Sequence, residues 1–218
     1  MGDSLRAPLR MALIGMSGSG KSFWSNRLAQ SGYASICCDT RIEERLRPRL
    51  EEGSYAGIHG VAAWMGWPDS ETYAEREAEY LSAEIAVLDE VLTELERDRT
   101  RELVLDTTGS VIYSGSNLLL RLRRQMKVVY LAATPEQQNL LIQRYLNEPK
   151  PVLWRGAFQP KEGESPRETV ARCYPMLIAA RRQSYEALAH CAVGIAELRD
   201  SALDAEGFVA RINLERAK

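Results

Sequence analysis

Eight residues near the start of the chain, Gly15-Met16-Ser17-Gly18-Ser19-Gly20-Lys21-Ser22, have the types and spacing needed to hold phosphate. Glycines at the first and sixth positions let a backbone wrap around an anion with its N–H groups turned inward. The start of the helix that follows adds positive potential. In this G-x-x-x-x-G-K-[ST] pattern the lysine reaches the β- and γ-phosphates, and the last hydroxyl binds Mg²⁺. Gly15, Met16, Ser17, Gly18, Ser19, Gly20, Lys21 and Ser22 are therefore expected to cradle ATP, with Ser22 on the metal.

Two carboxylates stand at positions where such a site can use them. Asp106 follows the apolar run Leu103-Val104-Leu105. There it can hold Mg²⁺, directly or through water, or act as a turn residue in Asp106-Thr107-Thr108-Gly109-Ser110. Asp39 ends the run from Tyr33 to Cys38. An acid at the carboxyl edge of a sheet can orient or deprotonate an attacking hydroxyl; it can also cap a helix starting at Arg41.

The elements that must position these residues are legible as alternation. Apolar runs at Met11–Ile14, Tyr33–Cys38, Leu103–Leu105, Val128–Leu131 and Ala192–Ile195 are short and continuous, as strands covered on both faces are. Helices are expected from Lys21 or Ser22 to about Gly32, and from about Ser70 to Arg97. Thr134-Pro135-Glu136-Gln137 and Ser165-Pro166-Arg167-Glu168 each combine a cap, a proline at the first helical position and a capping-box partner. The second opens a helix reaching about Ala189. Residues 147–164 hold three prolines, two glycines and Trp154, which predicts a lid-like loop. The expected fold is a three-layer α/β/α sandwich around a parallel five-stranded sheet, of P-loop type, with a lid over about 147–165. It forms a single domain over 1–218, in which about 40–98 is a helical region.

Composition narrows the function. The net charge is −2, with 27% charged and 45% hydrophobic residues. That balance suits a globular protein and argues against general nucleic-acid binding, which needs a basic surface. No apolar run has the length of a membrane span. The first residues show neither a signal-peptide core nor a myristoylation pattern, and the tail before Leu9 is expected to lack order. Cys37, Cys38, Cys173 and Cys191 show no zinc spacing and read as reduced thiols in a cytosolic, hence cytoplasmic, protein. Cys37 and Cys38 alternate across a strand, which places one of them in the core.

With these residues in place, the sequence resembles shikimate kinase, a P-loop kinase of the nucleoside monophosphate kinase superfamily. The stretch Ile14–Ser22 is close to that family's opening. Its Asp-x-Asp followed by Ile-Glu is matched by Cys37-Cys38-Asp39-Thr40-Arg41-Ile42-Glu43. The resemblance implies that Asp39 contacts the acceptor hydroxyl. Cys37 stands where the family has a magnesium carboxylate, which moves that task to Ser22 and Asp106. The family's Phe-Arg-x-x-Glu resembles Glu75-Arg76-Glu77-Ala78-Glu79, giving Arg76 the role of holding the acceptor's carboxylate. The family's Gly-Gly-Gly corresponds to Thr107-Thr108-Gly109. Its lid Arg-Pro-Leu-Leu corresponds to Lys150-Pro151-Val152-Leu153, and its later arginine, four residues before a tyrosine, to Arg181. Gly109, Lys150 and Arg181 thereby join Asp39 and Arg76 as substrate contacts, with Lys21, Asp39 and Arg76 as the catalytic set.

The spacing between Asp39 and Arg76 exceeds the family's. It includes Gly57-Ile58-His59-Gly60 and Trp64-Met65-Gly66-Trp67-Pro68, and the lid is longer, with Trp154, Arg155 and Phe158. Arg155 and Arg182 are further lid-side cations; Arg182 also reads as part of a solvated helix face, and Arg76 as a surface ion pair. Trp64, Trp67 and Trp154 are packing residues by type, as His59 and His190 are structural. The expected activity is phosphorylation by ATP of a hydroxyl on a small, anionic metabolite, in a monomer or weak homodimer. A nucleoside or nucleotide kinase, with Trp64 or Trp67 stacked on a base, and a non-catalytic nucleotide switch are the alternatives.

Overall fold

The structure, a computed structural model, describes residues 8–200 and 202–214. Apart from Pro8, the tail expected to lack order lies outside the described residues. Five strands, β1 (Arg10–Ile14), β2 (Ala34–Cys37), β3 (Leu103–Asp106), β4 (Lys127–Ala132) and β5 (Cys191–Gly194), form one parallel sheet in the order β2-β3-β1-β4-β5. The expected sandwich and its five-stranded sheet are present.

Side-chain alternation divides the core into two layers. Met11 and Leu13 of β1, Val104 of β3 and Val129 and Leu131 of β4 point to one face. There they meet α1 (Lys21–Gln30) and α8 (Ala205–Leu214), whose Trp24 and Phe208 stack at 4.7 Å. Ala12, Ile14, Leu103, Leu105, Val128 and Tyr130 point the other way. That layer contains α2 (Cys38–Glu51), α3 (Gly57–Met65), α4 (Tyr73–Arg97), α5 (Ser116–Gln125), α6 (Pro135–Asn147) and α7 (Pro166–Leu188). Both proline-containing capping boxes close as expected, at Thr134 and at Ser165. Among the described residues, no helix is long and apolar enough to cross a membrane.

Two local expectations change. The second strand ends at Cys37, so Cys38 opens α2 and Asp39 lies in the first turn of that helix rather than at its cap. Cys38 is the buried member of the pair, carried inward by the helix. The connection between α6 and α7 also differs from a free flap. Val152, Leu153 and Trp154 are only 5%, 0% and 1% exposed. The Tyr73 hydroxyl donates to the Val152 carbonyl at 2.6 Å and accepts from the Trp154 N–H at 3.1 Å. Arg181 donates to the Leu153 carbonyl at 2.6 Å, and Trp154 Nε1 donates to the Tyr145 hydroxyl at 3.3 Å. The middle of the connection is core, and its buried backbone groups are satisfied by α4 and α7. Trp154→Ala should therefore cost about 3–5 kcal/mol in urea unfolding, as for a core aromatic; a surface flap would lose almost nothing.

Candidate active site

The phosphate loop joins β1 to α1. Gly15, Gly18 and Gly20 have φ values of 140°, 80° and 98°, in the range that glycine tolerates best. A Cβ on Gly15 would lie 2.9 Å from the Leu131 carbonyl oxygen of β4, so the turn needs glycine for space as well as for φ. Gly20 precedes α1 and no side chain caps that helix, which leaves its first N–H groups directed at the loop. The Lys21 ammonium is buried and donates to the carbonyls of Gly15 at 2.9 Å and Met16 at 3.1 Å.

Sheet register brings the carboxylates to this loop. Leu13 pairs with Asp106, and Asp106 in turn pairs with Cys37, two residues before Asp39. Lys21, Ser22 and Asp39 line one cleft of about 160 Å³, together with Gly109, Lys150 and the P-loop glycines Gly18 and Gly20. Tyr80, Thr108 and Ile58, which carry no site signal of their own in the sequence, complete its wall. Asp106 does not itself line the cleft but interacts with Lys21 and Ser22, which do; it is 3% exposed, and its Oδ1 has no hydrogen-bond partner. Ser19 Oγ is buried and unpartnered in the same loop. Orphaned buried polar atoms are rare, and these two sit where a nucleotide and its metal would bind. An oxygen-only set of Ser22 and Asp106 suits Mg²⁺, which takes one or two protein oxygens and completes its shell with phosphate and water. No group of three or more His, Cys, Asp and Glu suited to a metal occurs among the described residues.

The charges are mutually adjusted. Burial pushes the Asp39 carboxyl up to about 6; Asp106 adds to the rise, while Lys21, Lys150 and the Tyr80 hydroxyl oppose it. That hydroxyl donates to Asp39 Oδ1 at 3.4 Å. Burial also raises Asp106, against Lys21 and the Ser22 hydroxyl. Lys21 is lowered by burial and supported by both acids.

Two expected substrate contacts are placed elsewhere. Arg76 does not line the cleft; its guanidinium donates to the Trp64 carbonyl and lies 5.8 Å from the Trp64 ring. One turn later on α4, Tyr80 and Glu84 carry the aromatic and the acid of Phe-Arg-x-x-Glu at the right spacing, with Leu81 in the arginine's place. Arg181 is 2% exposed and sits behind the cleft, donating to the Gly109 carbonyl at 2.9 Å as well as to Leu153. It braces the Gly109 turn. That turn packs tightly, since a Cβ on Gly109 would lie 3.2 Å from the Ser17 nitrogen.

Glu84 is the residue that sequence reasoning missed most completely. It is 2% exposed and accepts hydrogen bonds from the hydroxyls of Thr108 and, at 2.7 Å, Ser110. Burial raises its carboxyl to about 8, helped by Asp39 and opposed by the Ser110 hydroxyl and Arg181. Between the unfolded value near 4.3 and the folded value near 8, the unfolded chain releases this proton and the folded chain keeps it. Stability from this group is full below the lower value and is lost as pH rises to the upper one. Glu84→Gln should therefore gain thermal stability relative to the parent as pH rises from 5 to 8, by several degrees across a melting series. A constant offset would refute a proton held at this position.

No protein-family model and no curated protein sequence matches the chain. Solved structures do. Shikimate kinase from Acinetobacter baumannii in complex with shikimate superposes with a TM-score of 0.59 at 22% identity, over 97% of this chain and 96% of that one. Shikimate kinase from Bacteroides thetaiotaomicron gives 0.57 at 20% identity, over 94% and 97%. Dephospho-CoA kinase from Campylobacter jejuni gives 0.51 at 12%, over 95% and 97%. At these identities the likeness is one of fold: the chain has the architecture of the P-loop kinases, most like the shikimate kinases among these three, with its glycine-rich loop at the end of the first strand.

Proposed function

We propose that this protein transfers the γ-phosphoryl group of ATP to a hydroxyl of a small metabolite. The observation that carries this reading is the placement of Asp39. A carboxylate raised to about 6 opens onto the same small cleft as the phosphate loop and Lys150. In this reading the acceptor oxygen bonds to the γ-phosphorus, the bond from that phosphorus to the bridging oxygen of ADP breaks, and Asp39 takes the hydroxyl proton. Tyr80 orients the Asp39 carboxylate. Lys21 and Lys150 offset the charge on the phosphoryl oxygens, which is how positioned cations act in phosphoryl transfer. Ser22 and Asp106 would hold Mg²⁺, which would neutralise phosphate charge when bound. Residues 147–165 act as the lid through their outer parts, and about 40–98 forms the acceptor side of a single domain.

With Arg76 engaged by Trp64, the expected partner for an acceptor carboxylate is drawn away from the cleft, and Lys150 is the cation that remains to meet substrate charge there. The kinase reading stands without an anionic acceptor.

Release of ADP in the presence of hydroxylated metabolites tests the assignment. Lys21→Ala should lower turnover by on the order of 100-fold or more and weaken binding of Mg·ATP. Unchanged nucleotide affinity would refute the phosphate site. Asp39→Asn should keep ATP binding and slow the chemical step by about 10²–10⁴-fold. In the parent, kcat/KM should fall as pH drops through about 6, where Asp39 gains a proton and can no longer accept one. The variant should lack that limb. Asp106→Asn should raise the Mg²⁺ concentration needed for tight nucleotide binding by calorimetry, whereas Cys37→Ser should leave it in place. The reverse pattern would reassign the metal site.

A further inference from the structure

Helix α3 separates two spaces. Ile58, in its first turn, lines the phosphate cleft, while the next residue, His59, lines a second cavity of about 330 Å³. The two spaces share Lys150 and Pro151 as a common wall. The cleft alone, at about 160 Å³, is below the roughly 300 Å³ at which small-molecule sites begin, and the second cavity is above it. An acceptor that presents a hydroxyl to Asp39 must place the rest of its body somewhere, and this cavity adjoins.

Its lining specifies what that body is. Met65, Trp67, Tyr145 and Val152 give it an apolar and aromatic surface, and among the described residues its charged lining group is Lys150, on the wall shared with the phosphate cleft. The two tryptophans of this segment are not equivalent. Trp64 is 5% exposed and covered by the Arg76 guanidinium. Trp67 is half-buried and turned into the cavity by the left-handed turn at Gly66, whose φ is 76°. Opposite stands Tyr145, edge-on to Trp67 at 6.1 Å and stacked on Tyr174 at 4.7 Å with an interplanar angle of 3°. That wall is fixed before any ligand arrives, because Trp154 and Val152 beside it belong to the core. His59 Nδ1 meets the Pro149 carbonyl at 3.2 Å and joins α3 to the opposite rim.

We infer that the space between α3 and residues 149–152 is a second acceptor subsite, which takes a flat, uncharged ring on the Trp67 face. The inference rests on the kinase reading for the hydroxyl, but its own test is one of binding. Two matched pairs of probes serve: a set of nucleosides against ribose, and phenyl glucoside against methyl glucoside. Each is titrated by tryptophan fluorescence and calorimetry in the presence of Mg²⁺ and a non-hydrolysable ATP analogue. At least one ring-bearing member should bind about tenfold more tightly than its ringless partner, the size of one stacking contact. Trp67→Ala should abolish that preference and Trp67→Phe should keep most of it. Ala62→Phe, which adds bulk to the cavity and removes no wall group, should abolish it too. Ring-bearing and ringless probes that behave alike in the parent, including probes that all fail to bind, overturn the subsite. So does a preference that survives both Trp67→Ala and Ala62→Phe. Failure of the kinase reading shows separately, as ADP release that no acceptor stimulates or as nucleotide affinity indifferent to Lys21→Ala.

Discussion

A lysine ammonium removed from water must find other partners, and those of Lys21 lie in the loop that precedes it. Two carbonyls, from Gly15 and Met16, turn inward to receive its protons. They can do so because Gly15 adopts a φ of 140° beside the Leu131 carbonyl, where any side chain would collide. The carboxylates that support the same charge arrive through strand register: Asp106 beside Leu13, and Asp39 two residues beyond the partner of Asp106. A one-residue slip in β3 would turn Asp106 to the other face of the sheet. The parallel order β2-β3-β1 is thus the scaffold of an electrostatic arrangement, in which one buried cation and two acids offset one another's burial while Asp106 works against the ionisation of Asp39.

Much of this was legible because it is local. Short apolar runs ending in Gly15, Asp39 and Asp106 mark strands with chemistry at their carboxyl ends, and the two capping boxes fix where α6 and α7 begin. The sequence is less explicit about α2 and α3. Pro48 lies inside the first, and Gly57 and Gly60 weaken the pattern of the second, so their helicity rests on burial of residues such as Leu46, Leu50, Val61 and Met65. On α4 the spacing leaves two segments indistinguishable for a geometric reason. Residues four apart share a helix face, so Glu75–Glu79 and Tyr80–Glu84 offer similar patterns one turn or so apart. What separates them is long-range: Trp64 takes up Arg76, whereas Asp39, Thr108 and Ser110 meet Tyr80 and Glu84. Spacing alone does not carry that information.

The connection 148–165 shows the same limit from the other side. Prolines, glycines and charge describe its ends well, and its length is that of a functional loop. Its centre, Val152-Leu153-Trp154, is an apolar triplet made into core by residues distant in sequence, Tyr73, Tyr174 and Arg181 among them. The fixed centre has a consequence for neighbouring residues. Arg155, held at a φ of 50° with its N–H on Glu77 at 2.9 Å, marks where the anchored part gives way to the exposed outer part.

Lys150 lies just before that anchor, exposed, and its side chain borders three spaces: the phosphate cleft, the aromatic cavity, and a third opening beside Gly18 and Arg144. A lysine side chain surrenders roughly 2 kcal/mol of rotamer freedom when it is fixed in one position. Whichever ligand arrives first bears that loss, and a second ligand that uses the same rotamer does not bear it again. Occupancy of one space then strengthens occupancy of its neighbour, and by linkage the strengthening is mutual. In the kinase reading proposed above, cooperation between two substrates would thus arise from the ordering of one side chain, with no movement of the helices that surround it.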